Sequence, residues 1–223
     1  MTINSKQATD VFCSWSGGKD SCFALYKAVK SGMRPRMLVT MMEETGERSR
    51  AHGLSIDVLL RQSESLGIPL TMRSTSWDEY ERIFIDALVE LRKAGLEGGV
   101  FGDIDLDEHR EWATRVCGSA GMTAVHPLWK KNRAKLIGDF LRTGFDATVV
   151  AVKDGVLGPE ILGRKLTADL VNEFRKAGID PSGEAGEYHT VVTEGPLFST
   201  PLNLANRGAV QRDGYWFLDV ACI

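Results

Sequence analysis

The residues best suited to chemistry stand where a largely apolar segment, residues 11–15, runs into Ser-Gly-Gly-Lys-Asp-Ser at positions 16–21. Apolar residues recur at helical spacing through residues 22–29, so the pattern predicts a strand, a glycine turn and a helix. Gly17 and Gly18 lack a Cβ and can adopt backbone angles closed to other residues, which lets several N–H groups converge on one anion at the positive end of the helix. Such a turn is typical of a phosphate site.

The side chains around the two glycines suit phosphate and a divalent cation. Ser16 and Ser21 offer hydroxyl groups to phosphate oxygens, and Lys19 offers a positive charge. Asp20 stands where a bound Mg²⁺ ion or the N–H groups of the turn would attract a carboxylate. The spacing of the Walker motif is absent, so this is not the phosphate loop of the ordinary NTPases. An ordinary turn followed by a helix cap at Asp20 or Ser21 is the structural alternative.

Composition is that of an ordinary globular protein. The 223 residues are 43% hydrophobic and 26% charged, with a formal net charge of −3. This charge gives no general attraction to nucleic acid or membranes, so we expect no membrane partner and do not favour a nucleic-acid partner. We find no signal peptide at the start and no apolar segment of membrane-spanning length, and therefore expect a cytoplasmic location. The four cysteines are scattered, which favours reduced thiols.

Strand and helix patterns alternate along the first part of the chain. This alternation implies right-handed crossovers and a parallel sheet that is covered on both faces. The pattern changes near residue 130, and residues 208–211 and 215–220 flank an Arg-Asp-Gly turn that predicts a hairpin. We therefore expect an α/β fold, with a Rossmann-like doubly wound parallel sheet in residues 1–130 and a smaller C-terminal α+β domain in residues 131–223.

Candidate ligand contacts follow two further predicted strands. In a doubly wound sheet, ligands lie beyond the carboxyl ends of the strands. Met41 and His52 are therefore candidates for an adenine pocket, with a core methionine and a solvated loop histidine as the alternatives. Gly102 would let the backbone approach a ligand, and Asp103 offers a carboxylate for metal, proton or phosphate chemistry.

Two charged segments could add to this chemistry. His109 and Arg110 belong to the polar run 105–112, which supplies proton or phosphate contacts or only the solvated face of a helix. The basic cluster at 130–135 opens another helix. It either holds pyrophosphate or is solvated.

A second group of reactive residue types occupies positions 181–190, with the sequence Pro-Ser-Gly-Glu-Ala-Gly-Glu-Tyr-His-Thr. Its two glycines and leading proline favour a loop over a helix, so Glu184 and Glu187 can converge. Paired carboxylates beside a histidine can bind Mg²⁺ or remove a proton from an incoming amine. A flexible polar linker is the alternative reading of the same residues.

Both segments resemble known motifs. The string at 16–21 is similar to the PP-loop of the N-type ATP pyrophosphatases, whose members cleave ATP between the α- and β-phosphates. The string Gly-Glu-Ala-Gly-Glu-Tyr-His-Thr at 183–190 resembles the diphthine–ammonia ligase family, with Ala185 a mild departure from the asparagine or glycine often found there. Shorter matches extend this resemblance over essentially the whole chain: Gly-Asp-Ile at 102–104, His-Arg at 109–110, Pro-Leu-Trp at 127–129, Leu-Gly-Arg at 162–164 and Gly-Pro-Leu-Phe at 195–198.

The resemblance implies ATP-dependent amidation. In that family the carboxylate of diphthine, a modified histidine of elongation factor 2, attacks the α-phosphate of MgATP, and ammonia displaces AMP from the acyl adenylate. It implies catalysis by Asp20, Glu184 and Glu187, with Mg²⁺ held by Asp20 and Glu187. It implies ATP contacts from Ser16, Gly17, Gly18, Lys19, Asp20, Ser21, Met41, His52, Gly102 and Asp103. It implies acceptor contacts from His109, Arg110, Trp129, Tyr188, His189 and Thr190.

Two other functions remain open at the level of sequence. One is a PP-loop pyrophosphatase that acts on another small carboxylate, and the other is a non-catalytic module that binds ATP or AMP. The absence of paired cysteines disfavours the sulfur-transfer enzymes of the PP-loop superfamily. Nothing resembles a glutaminase, so free ammonium is the expected nitrogen source. An exposed C-terminal hairpin could pair with a second copy in a homodimer.

Overall fold

A computed structural model describes residues 8–223 of the chain. The first half forms a five-stranded parallel sheet with the strand order β3-β2-β1-β4-β5. Its strands are β1 (Asp10–Ser14), β2 (Arg34–Met42), β3 (Leu70–Ser74), β4 (Gly98–Val100) and β5 (Thr123–Val125). The helices between them are α1 (Lys19–Lys30), α2 (Ile56–Leu66), α3 (Tyr80–Lys93) and α4 (Asp107–Ser119).

The second half forms a four-stranded antiparallel sheet with the order β7-β6-β9-β8. Its strands are β6 (Asp146–Lys153), β7 (Tyr188–Glu194), β8 (Leu204–Arg212) and β9 (Tyr215–Cys222), and its helices are α5 (Arg133–Arg142) and α6 (Ala168–Lys176), with a short 3-10 turn at Pro159–Ile161. The predicted fold class and the predicted C-terminal hairpin are confirmed. The domain boundary at residue 130 stays a prediction. No helix among the described residues is both long and apolar enough to cross a membrane.

The centre of the parallel sheet is β1, which pairs with β2 on one side and β4 on the other. Val11, Phe12 and Cys13 are fully buried, as expected for a strand covered on both faces. A Cβ on Gly99 of β4 would overlap the ring of Phe12, so only glycine lets β4 pair at this point. This packing places the residues that follow β4 directly beside the turn that follows β1.

The two sheets share one continuous hydrophobic core. The Phe23 ring in α1 meets the rings of Phe140 and Phe145 edge to face, with centroids 5.9 and 6.2 Å apart. The backbone N–H of Val192 in β7 donates to the carbonyl of Gly17 over 2.9 Å. The C-terminal sheet is therefore fixed to the glycine turn and to its helix, which brings residues 183–190 over the carboxyl ends of β1 and β4.

Candidate active site

A cavity of about 900 Å³ lies where the strand order of the parallel sheet reverses, between β1 and β4. Ligands bind at such switch points, and known ligand pockets measure roughly 300–1,000 Å³. Most of the site residues predicted from the sequence line this cavity: Ser16, Lys19, Asp20, Ser21, Met41, His52, Gly102, Asp103, His109, Glu184, Tyr188, His189 and Thr190. The predicted residues outside the lining are Gly17, Gly18, Arg110, Trp129 and Glu187.

The glycine turn between β1 and α1 forms one end of the cavity. Gly17 has a φ of 79°, a conformation that favours glycine. The hydroxyl oxygens of Ser16 and Ser21 lie 3.0 Å apart, and Ser21 also donates to the carbonyl of Gly18 over 3.1 Å. The predicted strand, turn and helix are present, and the two serines rigidify the turn.

Glycine is required at two positions because other parts of the protein approach closely. A Cβ on Gly18 would overlap the His52 ring and lie 2.9 Å from the carbonyl oxygen of Thr190. A Cβ on Gly102 would lie 2.9 Å from the carbonyl carbon of Asp20. Gly102 therefore allows the start of α1 to pack against the segment that follows β4.

Lys19 carries a buried positive charge at the floor of the cavity. Its side chain is only 6% exposed, its Nζ lies 2.6 Å from Oδ2 of Asp20, and it stands 5.3 Å from the centroid of the Tyr188 ring. The backbone N–H of Lys19 donates to Oγ1 of Thr190 over 3.1 Å. Strand β7 therefore contacts the glycine turn through a residue that lies 171 positions further along the chain.

Two neutral histidines pack beside the glycine turn. The ring centroids of His52 and His189 are 4.7 Å apart, and Nδ1 of His52 lies 2.8 Å from the carbonyl oxygen of Thr190. Because a carbonyl only accepts, Nδ1 of His52 carries the proton. Desolvation lowers the pKa of His52 to about 4 and that of His189 well below its usual range. Both rings are uncharged at neutral pH, which leaves Lys19 as the positive group of this corner.

The structure gives different environments to the two glutamates of residues 181–187, the acidic loop that precedes β7. The Oε1 atom of Glu184 accepts the backbone N–H of Ile104 over 3.2 Å, and its carboxyl group lines the cavity. Desolvation, helped by the charge of Asp20, raises the pKa of Glu184 to about 7. The carboxylate of Glu187 accepts the N–H of Ala185 over 3.1 Å and lies outside the cavity lining.

Asp103 follows β4 and lies near two histidines, His109 and His126. Its carboxylate lies 3.3 Å from Nδ1 of His109 and 3.8 Å from Nε2 of His126. The hydrogen bond that His109 donates to Asp103 raises the pKa of His109. The guanidinium of Arg110 instead stands 4.9 Å from the ring of Trp129. Of these predicted site residues, Asp103 and His109 reach the cavity, while Arg110 and Trp129 contact each other beside it.

Three cations of the basic cluster at 130–135 are paired with carboxylates. Lys130 pairs with Asp107 over 3.2 Å and Lys135 with Asp139 over 2.7 Å, while Arg133 binds two aspartates at once. For these three side chains, the contacts favour a solvated surface cluster over a pyrophosphate site.

The residues present can accept Mg²⁺ together with a phosphate ligand. Magnesium in phosphate-transferring sites is held by one or two carboxylates plus substrate phosphates and water. Asp20 lines the cavity with a half-buried carboxylate, of which Oδ2 is bound to Lys19. Glu187 lies outside the cavity lining, and its role as a second Mg²⁺ ligand stays a prediction. Within residues 8–223, no three His, Cys, Asp or Glu side chains are grouped so that they could hold a metal ion without such a ligand.

The sequence analysis did not single out Gln62, which joins the glycine turn to both sheets. Its fully buried amide accepts the indole N–H of Trp15 over 3.0 Å and donates to the carbonyls of Gly17 and Val192 over 2.9 and 2.8 Å. A polar residue on the apolar side of α2 was the one available signal, because a buried amide must be hydrogen-bonded.

Replacement of Gln62 by leucine is expected to lower the free energy of unfolding by about 3 kcal/mol, because three buried polar groups each lose a hydrogen bond. Urea unfolding measures this difference. The matched control is Gln211→Leu at an exposed position, where we expect a change within about 0.5 kcal/mol. Equal losses in the two variants would show that the Gln62 network does not stabilise the turn.

An aromatic wall of the cavity was also not anticipated. Trp77, Tyr80 and Trp112 line it, with ring centroids 5.6 Å apart for Trp77 and Tyr80 and 5.7 Å apart for Tyr80 and Trp112. The guanidinium of Arg50 lies 4.5 Å from the ring of Trp77, which is 71% exposed. The cavity therefore has polar and charged groups at the glycine turn and an aromatic wall from α3, α4 and the segment before α3.

Curated relatives and solved structures are similar to this chain, and three of them are described here. The diphthine–ammonia ligase of Schizosaccharomyces pombe is 28% identical over 218 residues, which cover 88% of this chain and 36% of that protein. The human diphthine–ammonia ligase is 25% identical over 234 residues, with coverages of 92% and 86%. The chain thus spans about a third of the length of the fission yeast relative. A Methanocaldococcus jannaschii structure titled as a "predicted subunit of tRNA methyltransferase" is 16% identical with a TM-score of 0.41, covering 84% of this chain and all of that one.

Two family models together match almost all of the described residues. The model described as diphthamide synthase N-terminal domain matches residues 9–124, and the model described as diphthamide synthase C-terminal domain matches residues 132–222. The first covers the parallel sheet with the glycine turn, and the second covers the antiparallel sheet with the acidic loop. The chain belongs to the diphthamide synthase family.

Proposed function

We propose that this protein is an ATP-dependent ligase that joins ammonia to the carboxylate of diphthine on elongation factor 2 and releases AMP and pyrophosphate. The observation that carries the proposal is the shared cavity, in which the glycine turn with Lys19 and Asp20 faces the loop with Glu184. The names of the relatives, diphthine–ammonia ligase, supply the acceptor and the nitrogen source.

ATP is a substrate of the proposed reaction, and its phosphates bind at the glycine turn. The start of α1 directs N–H groups toward an anion, and the hydroxyls of Ser16 and Ser21 and the ammonium of Lys19 line the same end of the cavity. When bound with ATP beside Asp20, Mg²⁺ would neutralise charge on the phosphates. The nucleoside lies toward Met41 and His52 or the aromatic wall.

In the first step an oxygen of the acceptor carboxylate attacks the α-phosphorus, and the bond to pyrophosphate breaks. The buried charge of Lys19 stabilises the leaving pyrophosphate, and the cavity holds the two reactants together, so electrostatics and proximity supply the rate. No covalent bond to the protein is needed. The product of this step is an acyl adenylate.

In the second step ammonia attacks the acyl carbon and AMP leaves with the acceptor oxygen. Ammonium must first lose a proton, and Glu184 is the candidate base because its carboxyl group faces the cavity and its pKa is raised to about 7. A second proton leaves to solvent as the amide forms. Glu187, which is bound to its own loop, orients that loop in this proposal.

Nucleotide product analysis tests the proposal. Purified protein is incubated with MgATP, ammonium and elongation factor 2 that carries diphthine, and the control is the same factor with unmodified histidine. We expect AMP and pyrophosphate in equal amounts with the first factor only, together with conversion of its carboxylate to an amide by mass spectrometry. ADP as product, or AMP formation that does not depend on diphthine, would contradict the proposal.

A further inference from the structure

Arg133 stands outside the cavity lining but bridges the two loops that form one side of it. Its Nη2 and Nε atoms bind the carboxylate of Asp105 over 2.6 and 2.8 Å, and its Nη1 binds Asp180. Asp105 follows β4, whereas Asp180 stands just before the acidic loop. One guanidinium therefore connects the parallel-sheet half of the site to the C-terminal half.

The bridge is part of a closed ring of contacts that ends at Glu184. Asp180 accepts the backbone N–H of Glu184 over 3.1 Å, and the carboxylate of Glu184 accepts the N–H of Ile104 over 3.2 Å. Ile104 is the chain neighbour of Asp105, which closes the ring through Arg133. Glu184 is consequently held at its backbone and at its carboxylate.

A second contact fixes the same loop from the other side. The buried hydroxyl of Ser182 donates to the carbonyl of Arg133 over 3.1 Å, and the N–H of Ser182 donates to Asp180 over 3.0 Å. Arg133 thus binds the acidic loop through its side chain and through its backbone. The Asp180 side chain is only 14% exposed, whereas those of Arg133 and Asp105 are 31% and 28% exposed, so the bridge is partly buried. Its bonds join charged groups, and such charge-assisted hydrogen bonds are stronger than neutral ones.

We propose that Arg133 is a positioning residue, which holds the Glu184 carboxylate against the glycine turn by clamping Asp105 to Asp180. This inference rests on the proposed function, because the role it assigns is the placement of the group that receives the ammonium proton. The fork of arginine can bind two carboxylates at once with fixed geometry, which lysine cannot reproduce. In this proposal the binding of ATP phosphates at Lys19 does not involve the ring of contacts through Arg133.

The test compares Arg133→Met and Arg133→Lys with Arg164→Met. The control arginine binds Glu173 through two bonds of 2.8 and 2.7 Å on the surface, so it loses a similar ion pair away from the cavity. We expect kcat to fall about 10- to 100-fold in Arg133→Met, because small displacements of reacting groups are costly, with KM for ATP unchanged within about threefold. Arg133→Lys should recover part of kcat, and Arg164→Met should match the wild type.

A double-mutant cycle separates positioning from general support of the fold. If Arg133 acts through Glu184, Arg133→Met should reduce kcat little further once Glu184→Gln is present. A full additional reduction in that background would overturn the proposal. Should Arg133→Met fail to fold, the same cycle is run with Arg133→Lys.

Hydrogen exchange gives a readout that does not depend on activity. In Arg133→Met, the amides of Ser182, Glu184 and Ile104 should exchange faster, while those of β1 and β6 stay protected. An unchanged exchange rate of the Glu184 amide would overturn the proposal that Arg133 holds Glu184 in place. Absence of AMP formation by the wild type would contradict the proposed function instead, and exchange would still decide whether Arg133 positions Glu184.

Discussion

Replacement of Glu184 by glutamine is expected to lower kcat by about 10²- to 10⁴-fold, the range for loss of a general base. Glutamine keeps the shape of the side chain and can still accept the N–H of Ile104, so the loop should keep its position. Initial rates of AMP formation at saturating ATP and ammonium measure the effect. The control is Glu187→Gln, which changes the same residue type outside the cavity lining and should cost about tenfold or less. Equal reductions of kcat in the two variants would contradict the different roles assigned to Glu184 and Glu187.

The same substitution should stabilise the folded protein at high pH. Burial raises the pKa of Glu184 from 4.5 to about 7, so the folded state binds more protons than the unfolded state between these values. The resulting stabilisation is fully present below pH 4.5 and is lost as the pH rises through 7. Glutamine does not ionise, and the variant should therefore have a higher Tm than the wild type at pH 8, with a smaller difference near pH 5. If the variant had a lower Tm than the wild type at pH 8, the raised pKa of Glu184 in the folded state would be contradicted.

Replacement of Lys19 by methionine is expected to reduce kcat/KM for ATP by about 10²- to 10³-fold, the scale for removal of a preorganised group that stabilises transition-state charge. The methionine fills similar volume but leaves the pyrophosphate without the only buried cation among the described residues. ATP binding by calorimetry and the rate of AMP formation should both decline. The circular dichroism spectrum should remain that of the wild type.

Lys30 provides the matched control for this change. It stands in the last turn of the same helix, on an exposed position far along α1 from the glycine turn. Lys30→Met should leave ATP affinity and rate within about twofold of the wild type, as expected of a surface change. Wild-type ATP affinity in Lys19→Met would contradict the proposal that the phosphates of ATP bind beside Lys19 at the floor of the cavity.

Local patterns were sufficient to predict much of the fold. The alternation of apolar strands with helical spacing gives a doubly wound sheet because crossovers in parallel sheets are right-handed, and the Arg-Asp-Gly turn gives the final hairpin. The packing of the second sheet on α1 was not predictable in this way. It depends on ring contacts such as Phe23 with Phe140, between residues whose separation in sequence exceeds any local pattern.

The same distinction applies to the candidate site. The glycine turn and the residues at the end of β4 were found from sequence because strand ends of a parallel sheet meet at one edge. Gln62 and Arg133 were not singled out, since each acts by contacts to residues more than 25 positions away in the chain. The different environments of Glu184 and Glu187 also arise from the tertiary structure, because Ile104 supplies the N–H that directs the first. Spacing alone could show only that the two carboxylates were near each other.

In the proposed reaction an acceptor carboxylate, and not water, attacks ATP in this cavity. Turnover of MgATP and ammonium with diphthine-bearing elongation factor 2 in H₂¹⁸O tests it directly, with AMP and pyrophosphate examined by mass spectrometry. We expect AMP to contain no ¹⁸O, because its new oxygen comes from the unlabelled carboxylate, and we expect pyrophosphate to be unlabelled too. One ¹⁸O atom in AMP or in pyrophosphate would show that water cleaves ATP, which would contradict the formation of an acyl adenylate.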